Sequence, residues 1–318
     1  MCAVEGRVAI GWWPDRPQDV GLDDDADILA AEYVFPSGRA PIAQALERFE
    51  LPRCAAIAVA GYSSDCLTRI VRRFGTPVDI CEHDAMAAVF YEQWGWPFTV
   101  GAWDELTERF DDRPILVDRV DSADFFAHPR GGTVEIASLS KLLGLAGGGL
   151  ARVNGCFEKF EPQPESAAMR QLRNRSLPEL NRAGYQELFK ESRQAVHPSV
   201  MAWLQRNSLT CAAERERAVR QQHLQLVLNS PLARDWPVWM GDAVRAGAGP
   251  VWVPILRGQE AAQTWRVMTT LEKRFGVISA RRPFNWSGNP LRPQYEMCLA
   301  LPIHGGVPEL GEILAALV

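Results

Sequence analysis

Thr133-Val-Glu-Ile-Ala-Ser-Leu-Ser-Lys-Leu-Leu-Gly-Leu-Ala-Gly-Gly-Gly149 sets one lysine, Lys141, between an apolar strand and a glycine-rich turn. A strand ending near Leu139 would hold the amine on a rigid element. Ser138, Ser140 and the N–H groups of Gly147, Gly148 and Gly149 follow closely enough to bind a phosphate. The combination suits covalent amine chemistry on a phosphate-bearing group. Taken alone, the stretch is explained better by a solvated lysine closing a strand, because lysines near glycines are common; the rest of the chain decides.

Working outward, the 318 residues are 47% hydrophobic and 23% charged, enough to bury one large core or two unequal ones, with no sign of global disorder. A net charge of −5 and a pI near 5.7 argue against a protein held to nucleic acid by phosphate neutralisation. The run Glu214 to Arg220 mixes Glu214 and Glu216 with Arg215 and Arg217 and reads as a solvated helix face. No apolar stretch is long enough to span a bilayer. The N-terminus, with Glu5, the Trp12-Trp13 pair and Asp23-Asp24-Asp25, lacks the order of a signal peptide, so a cytoplasmic protein is expected. Seven cysteines scattered from Cys2 to Cys298 without a CxxC pair fit reduced thiols, and five dispersed histidines predict no metal. Packing or surface roles account best for Trp12, Trp13 and His83.

From about residue 36 the pattern has a βαβ rhythm. It predicts a helix over 42–50, a strand over 55–60, a helix over 65–74 and a strand over 77–80. A helix over 103–110 and strands over 114–117 and 133–139 follow. The short apolar runs suit a mostly parallel sheet covered by helices on both faces. Residues 165–228 read as largely helical, with Pro198 starting or breaking a helix. The pattern then restarts: strand 250–256, helix 259–275, strand 277–280, a Pro/Asn/Gly-rich loop to Pro293 and a terminal helix from Val307. Two domains are therefore expected, a large one over 1–230 that includes an N-terminal segment 1–30, and a smaller C-terminal α/β domain over 231–318.

Ligands of open parallel sheets gather beyond the carboxyl ends of the strands, so polar residues that directly follow apolar runs are the candidates. Ser37-Gly38-Arg39 precedes the first helix, where N–H groups and the positive end of the dipole can hold a phosphate; an ordinary helix N-cap explains it as well. Asp118 directly follows Ile115-Leu116-Val117, with Asp121 three residues on. A carboxylate there can pair with a protonated ring nitrogen, and a strand-end aspartate turning into a loop is an equal alternative. The order phosphate turn, strand-end aspartate, lysine before glycines is more specific than any one member.

That order resembles fold type I pyridoxal phosphate (PLP) enzymes, and more narrowly the DegT/StrS family of aminotransferases, many of which act on keto-sugar nucleotides. Phe35-Pro-Ser-Gly-Arg-Ala-Pro-Ile-Ala-Gln-Ala-Leu46 resembles the family's SGTxAL-type phosphate turn. Val59-Ala-Gly-Tyr-Ser63 with Phe74-Gly-Thr-Pro-Val78 resembles its VPxYT segment and GxxPV strand, and Leu116-Val-Asp118 its segment carrying the ring-nitrogen aspartate. Lys141 through Asn154 resembles its lysine and glycine loop, and Leu299-Ala-Leu-Pro-Ile-His304 its LSLPIH signature, with His304 ending a strand.

The resemblance implies a mostly parallel, helix-covered sheet with a smaller C-terminal domain, PLP as cofactor, and a homodimer with small-molecule substrates and no nucleic-acid or membrane partner. Lys141 would be the Schiff-base lysine and the general base and acid. Ser37, Gly38, Arg39 and Ser138 would hold the phosphate, Asp118 the ring nitrogen, and Asp121 and Tyr62 would complete the cofactor site. Three departures stand out. Ser64 falls where the family carries an aromatic stacker, Asp121 replaces a glutamine, and Arg39 replaces a small hydroxyl residue. Asn174 and Asn181 lie in the region of the family's partner-subunit phosphate ligand. Lysine rather than histidine at 141 separates the chain from the family's dehydratase branch. The expected activity is transfer of an amino group from an amino-acid donor to a keto acceptor, including a keto-sugar nucleotide. The alternatives are a non-catalytic or regulatory relative and another PLP reaction on an amino acid. Arg281, Arg282, Asn285 and Trp286 fall in the predicted small-domain loop, which could reach a substrate; a solvated Pro/Gly-rich loop explains them at least as well.

Overall fold

A computed structural model describes residues 31–161 and 196–318, apart from residues 83, 128, 146 and 308. The N-terminal segment 1–30, His83, Asn174, Asn181 and most of the predicted helical stretch before Pro198 lie outside the described residues.

The first half builds a sheet in the order β2-β1-β3-β4-β5-β6-β7. Its strands are β1 (Ala56–Val59), β2 (Thr76–Asp79), β3 (Ala87–Tyr91), β4 (Ile115–Asp118), β5 (Val134–Ser138), β6 (Gly149–Val153) and β7 (Cys156–Phe157). From β2 to β5 every pairing is parallel; β6 and β7 return antiparallel at one edge. Side chains alternate between two buried faces. Ile57, Val59, Val89, Leu116 and Ile136 pack under α1 (Ala40–Arg48) and α2 (Asp65–Val71). Ala58, Ala88, Phe90, Ile115 and Val117 pack with Leu106 of α3 (Val100–Arg109). Burial of both faces is why these strands read as continuous apolar runs. The expected fold class, a mostly parallel helix-covered sheet of the fold type I PLP transferases, is the observed one.

The second sheet is antiparallel in the order β8-β10-β9, from β8 (Trp252–Ile255), β9 (Ala280–Asn285) and β10 (Tyr295–Pro302). Helices α8 (Ala261–Phe275) and α9 (Leu310–Leu317) pack on it. Ahead of it come α5 (Pro198–Leu204), with Pro198 in its first turn, α6 (Leu209–Leu228) and α7 (Val238–Arg245). Helix α6 joins the two cores, with Leu209, Ala212 and Ala213 against the large sheet and Leu224 and Val227 against the small one. Among the described residues no helix is long and apolar enough to cross a membrane.

Four expectations require correction. Strand β3 went unread, although it sits between β1 and β4; its Ala87-Ala88 start has low strand propensity, and burial of both faces removes the alternation that marks a strand. The predicted 277–280 strand starts at Ala280 and continues to Asn285, so Arg281, Arg282 and Asn285 are strand residues and Trp286 follows directly. Pro283 is tolerated there because β9 is an edge strand. Gly149, read as part of the turn, opens β6. The run Glu214–Arg220 is a solvated face only in part: Glu214 and Arg215 are exposed, whereas Glu216 and Arg220 are buried on the inward stripe of α6 with Ala212, Ala213, Leu224 and Val227.

Candidate active site

Strand β5 ends at Ser138 and turns at once into the single-turn helix α4 (Leu139–Leu142), which puts Lys141 at the carboxyl edge of the sheet. Strand β6 pairs Gly149 opposite Ser138. The turn before α1 arrives from the other side: Phe35 and Gly149 exchange backbone hydrogen bonds, both of 2.9 Å, and Gly148 N–H donates to Pro36 O at 3.0 Å. Two glycines permit this approach. A Cβ on Gly38 would stand 2.9 Å from Ser138 Cβ, and one on Gly149 would run into the carbonyl oxygen of Ser37. Ser138 Oγ lies 3.0 Å from Ser140 Oγ, and Ser37 Oγ accepts the Arg39 N–H at 3.3 Å. Arg39 is the N-cap of α1 and supplies no side-chain acceptor, so the positive end of that helix lies beside the Ser37 turn.

Two carboxylates face the lysine. Asp121 Oδ1 lies 3.0 Å from Lys141 Nζ, while Oδ2 accepts the Tyr91 hydroxyl at 2.5 Å. Burial works against the Lys141 ammonium, but Asp121 and then Asp118 outweigh it and hold its pKa above the ordinary lysine value. Asp118, buried at the end of β4, accepts the Val120 N–H at 3.2 Å. Burial pushes its carboxyl up to about 7; the Lys141 ammonium opposes this and the Asp121 carboxylate adds to it. Between about pH 4 and about 7 the cofactor-free folded protein therefore keeps a proton on Asp118 that the unfolded chain has released. Stability from this group is present at low pH and falls as pH rises from about 4 to about 7, by about 1.4 kcal/mol per unit. Cofactor-free Asp118→Asn is expected to flatten that fall. Thermal unfolding of both proteins at about pH 5.5 and about pH 8 checks it, and equal pH slopes would refute the assignment.

Arg220, fully buried on α6, gathers the lysine and aspartate segments. Its guanidinium pairs with Glu216 at 2.6 Å and donates to the carbonyls of Lys141 (2.9 Å), Asp121 (3.1 Å), Leu142 (3.3 Å) and Gly249 (3.4 Å). Glu216 also accepts the N–H of Gly305, at 3.2 Å to Oε1 and 3.3 Å to Oε2, just beyond the Leu299–His304 segment.

The structure thus brings Ser37, Gly38, Arg39, Ser138, Lys141, Asp118 and Asp121 to one edge of the sheet. Tyr62 stands apart from these contacts: it is 63% exposed, and its ring meets Tyr295 edge-on with centroids 4.5 Å apart. Ser64 serves as the N-cap of α2, accepting the Leu67 N–H at 3.4 Å. His304 is buried just past β10, and its Nδ1 accepts the Gly306 N–H at 3.1 Å. Next to the lysine site, Tyr91, Trp96, Phe98, Trp239, Phe284 and Tyr295 line a cleft between the two sheets with no charged side chain in its wall. Sequence reading missed Tyr91, because β3 was missed, and Arg220, although the spacing of positions 212, 216, 220 and 224 could have signalled an inward stripe.

Pyridoxal phosphate fits these residues: a helix N-terminus and serine hydroxyls meet in a cradle that only glycine leaves open, with a buried carboxyl and an amine beside it. Residues 29–156 match a family model described as "Putative PLP-dependent aminotransferase". The fold is that of the fold type I PLP-dependent transferases, and the match covers the segment that carries the Ser37 turn, Asp118 and Lys141. The chain is similar to a DegT/DnrJ/EryC1/StrS aminotransferase from Brucella abortus, 15% identical with a TM-score of 0.54, over 89% of this chain and 84% of that one. It is similar to S. venezuelae DesV, 17% identical with a TM-score of 0.51, over 89% and 83% of the two chains. It also resembles 8-amino-7-oxononanoate synthase from Francisella tularensis, 13% identical with a TM-score of 0.53, over 89% and 79%. At these identities the shared property is the fold, and the differing names of these proteins mark how little the fold says of the substrate. No curated protein matches the chain in sequence.

Proposed function

We propose that the chain moves an amino group from an amino-acid donor to a keto acceptor in the DegT/StrS manner, with a keto-sugar nucleotide or a related biosynthetic intermediate as acceptor. The observation that carries the reading is the Lys141 amine at the carboxyl edge of the parallel sheet, 3.0 Å from Asp121 and within the field of Asp118. When bound, PLP supplies an aldehyde that bonds amines and a ring that accepts electron density from the substrate carbon. Lys141 Nζ would hold the cofactor and would move a proton to and from the substrate carbon. Asp118 would hold the ring nitrogen and favour its protonated form. The Ser37 and Ser138 hydroxyls, the Gly38 N–H and the start of α1 at Arg39 would hold the phosphate. Asp121, beside the amine, would complete the cofactor surroundings. The aromatic walls of the neighbouring cleft suit an uncharged ring of the acceptor.

The same reading divides the chain into a large domain, 1–230, and a small one, 231–318, and makes the protein a cytoplasmic homodimer. A non-catalytic relative is the second reading, favoured by Ser64, which caps α2 where the family carries a stacking ring. The visible absorption of the PLP-loaded protein separates the two. A band that bleaches on adding glutamate, with the pyridoxamine form as product, is expected of the transferase. A band indifferent to glutamate and other amino acids would favour the second reading, and no band would remove the cofactor assignment.

A further inference from the structure

Asp121 stands where a simple cofactor ligand was expected, yet both its carboxylate oxygens are engaged within the protein. Oδ1 faces Lys141 Nζ at 3.0 Å and Oδ2 takes the Tyr91 hydroxyl at 2.5 Å. The Tyr91 oxygen itself accepts the Trp94 N–H at 3.2 Å, which turns its own proton toward Asp121. The aspartate main chain is held as well: Arg220 binds its carbonyl at 3.1 Å, and the carbonyl packs so tightly on Gly95 that a Cβ there would collide with it. Asp121 is buried, so its carboxylate has no solvent to turn to when a cation is wanted.

We infer that Asp121, fixed by Tyr91, is the built-in counter-ion of Lys141, a positioning pair that sets the direction of the lysine amine and the ease with which it releases its proton. The charged and titratable groups around that amine are Asp118 from β4, Asp121 and Tyr91, Cys66 from α2, and Glu92, which acts through Asp118. Arg220 from α6 reaches the main chain of Lys141. Asp118 makes no contact at ion-pair distance with Lys141, so Asp121 is the carboxylate paired with Nζ. Burial opposes the Lys141 ammonium, and loss of the nearest carboxylate leaves that opposition weakly countered. The inference concerns the protein without cofactor and is testable there; its bearing on catalysis rests on the proposed transfer reaction.

Competitive labelling of cofactor-free protein with acetic anhydride across pH, read residue by residue by mass spectrometry, gives the titration midpoint of Lys141 against exposed Lys273. In the native protein Lys141 is expected to label at a pH above the ordinary lysine range. Asp121→Asn should lower its midpoint by at least about one pH unit, Tyr91→Phe should lower it by less, and Asp121→Glu should restore part of it. A structural role alone would change the unfolding temperature and leave the midpoint in place. Coincident midpoints in native protein and Asp121→Asn would overturn the inference; should that variant not fold, an unchanged midpoint in Tyr91→Phe overturns it instead. Failure of glutamate to bleach the PLP-loaded native protein would remove the transfer reading and leave this result standing.

Discussion

Lys141→Ala is expected to abolish amino transfer, lowering turnover by about 10⁴-fold or more, because one substitution removes both the covalent anchor and the general acid–base group. The geometry offers no evident substitute among the groups facing that amine: Asp121 is committed to Tyr91, and Asp118 is buried against the main chain of Val120. Two measurements check it. Single-turnover conversion with glutamate should be lost, and borohydride reduction of the PLP-loaded native protein should leave the cofactor attached at residue 141 and nowhere else. Retained conversion in the variant, or a reduced adduct on another lysine, would move the site. Removing the ammonium also leaves the Asp118 and Asp121 carboxylates facing each other, so the variant is expected to take up a proton at a pH where the native protein does not.

The second large effect falls on a residue that touches no substrate. Arg220→Met is expected to destabilise the protein by about 3–5 kcal/mol, since it strips a buried ion pair of its cation and leaves four main-chain carbonyls short of a donor. Burial pushes the Glu216 carboxyl up, and the Arg220 guanidinium is the chief force holding it down, so the lone glutamate would become protonated or disrupt the helix contact. Adding Glu216→Gln to Arg220→Met should recover part of the loss, a non-additivity that marks the pair as a unit. Urea unfolding of the single and double variants measures both terms. A loss below about 1 kcal/mol in the single variant would show that Arg220 is not the tie between α6 and the lysine segment. Because that tie includes the Lys141 and Asp121 carbonyls, PLP is also expected to bind the variant more weakly.

Much of the site was legible because its parts sit at strand ends. Ser37, Asp118 and Lys141 each belong to a short polar stretch bordering an apolar run or opening a helix, and the parallel sheet gathers such stretches at one edge. Tyr91 belongs to the same edge and was lost only because β3 did not alternate. Arg281 and Arg282 show the opposite error: two charges and Pro283 read as loop, whereas cross-strand pairing with Cys298 and Leu299 makes them an edge strand.

From local chemistry alone, the chain determined its rhythm of helices and parallel strands, the candidate lysine with its glycine cradle, and the aspartate at the end of β4, because backbone propensity and burial leave periodic traces in neighbouring residues. Only the tertiary structure decided that Arg220 binds the carbonyl of Lys141 from 79 positions away, that Asp121 pairs with Tyr91 from 30 positions away, and that Tyr62 turns to Tyr295. Those contacts follow from tertiary packing: the spacing of 212, 216, 220 and 224 can mark Arg220 as inward-facing, but nothing local to either segment names the partner it meets.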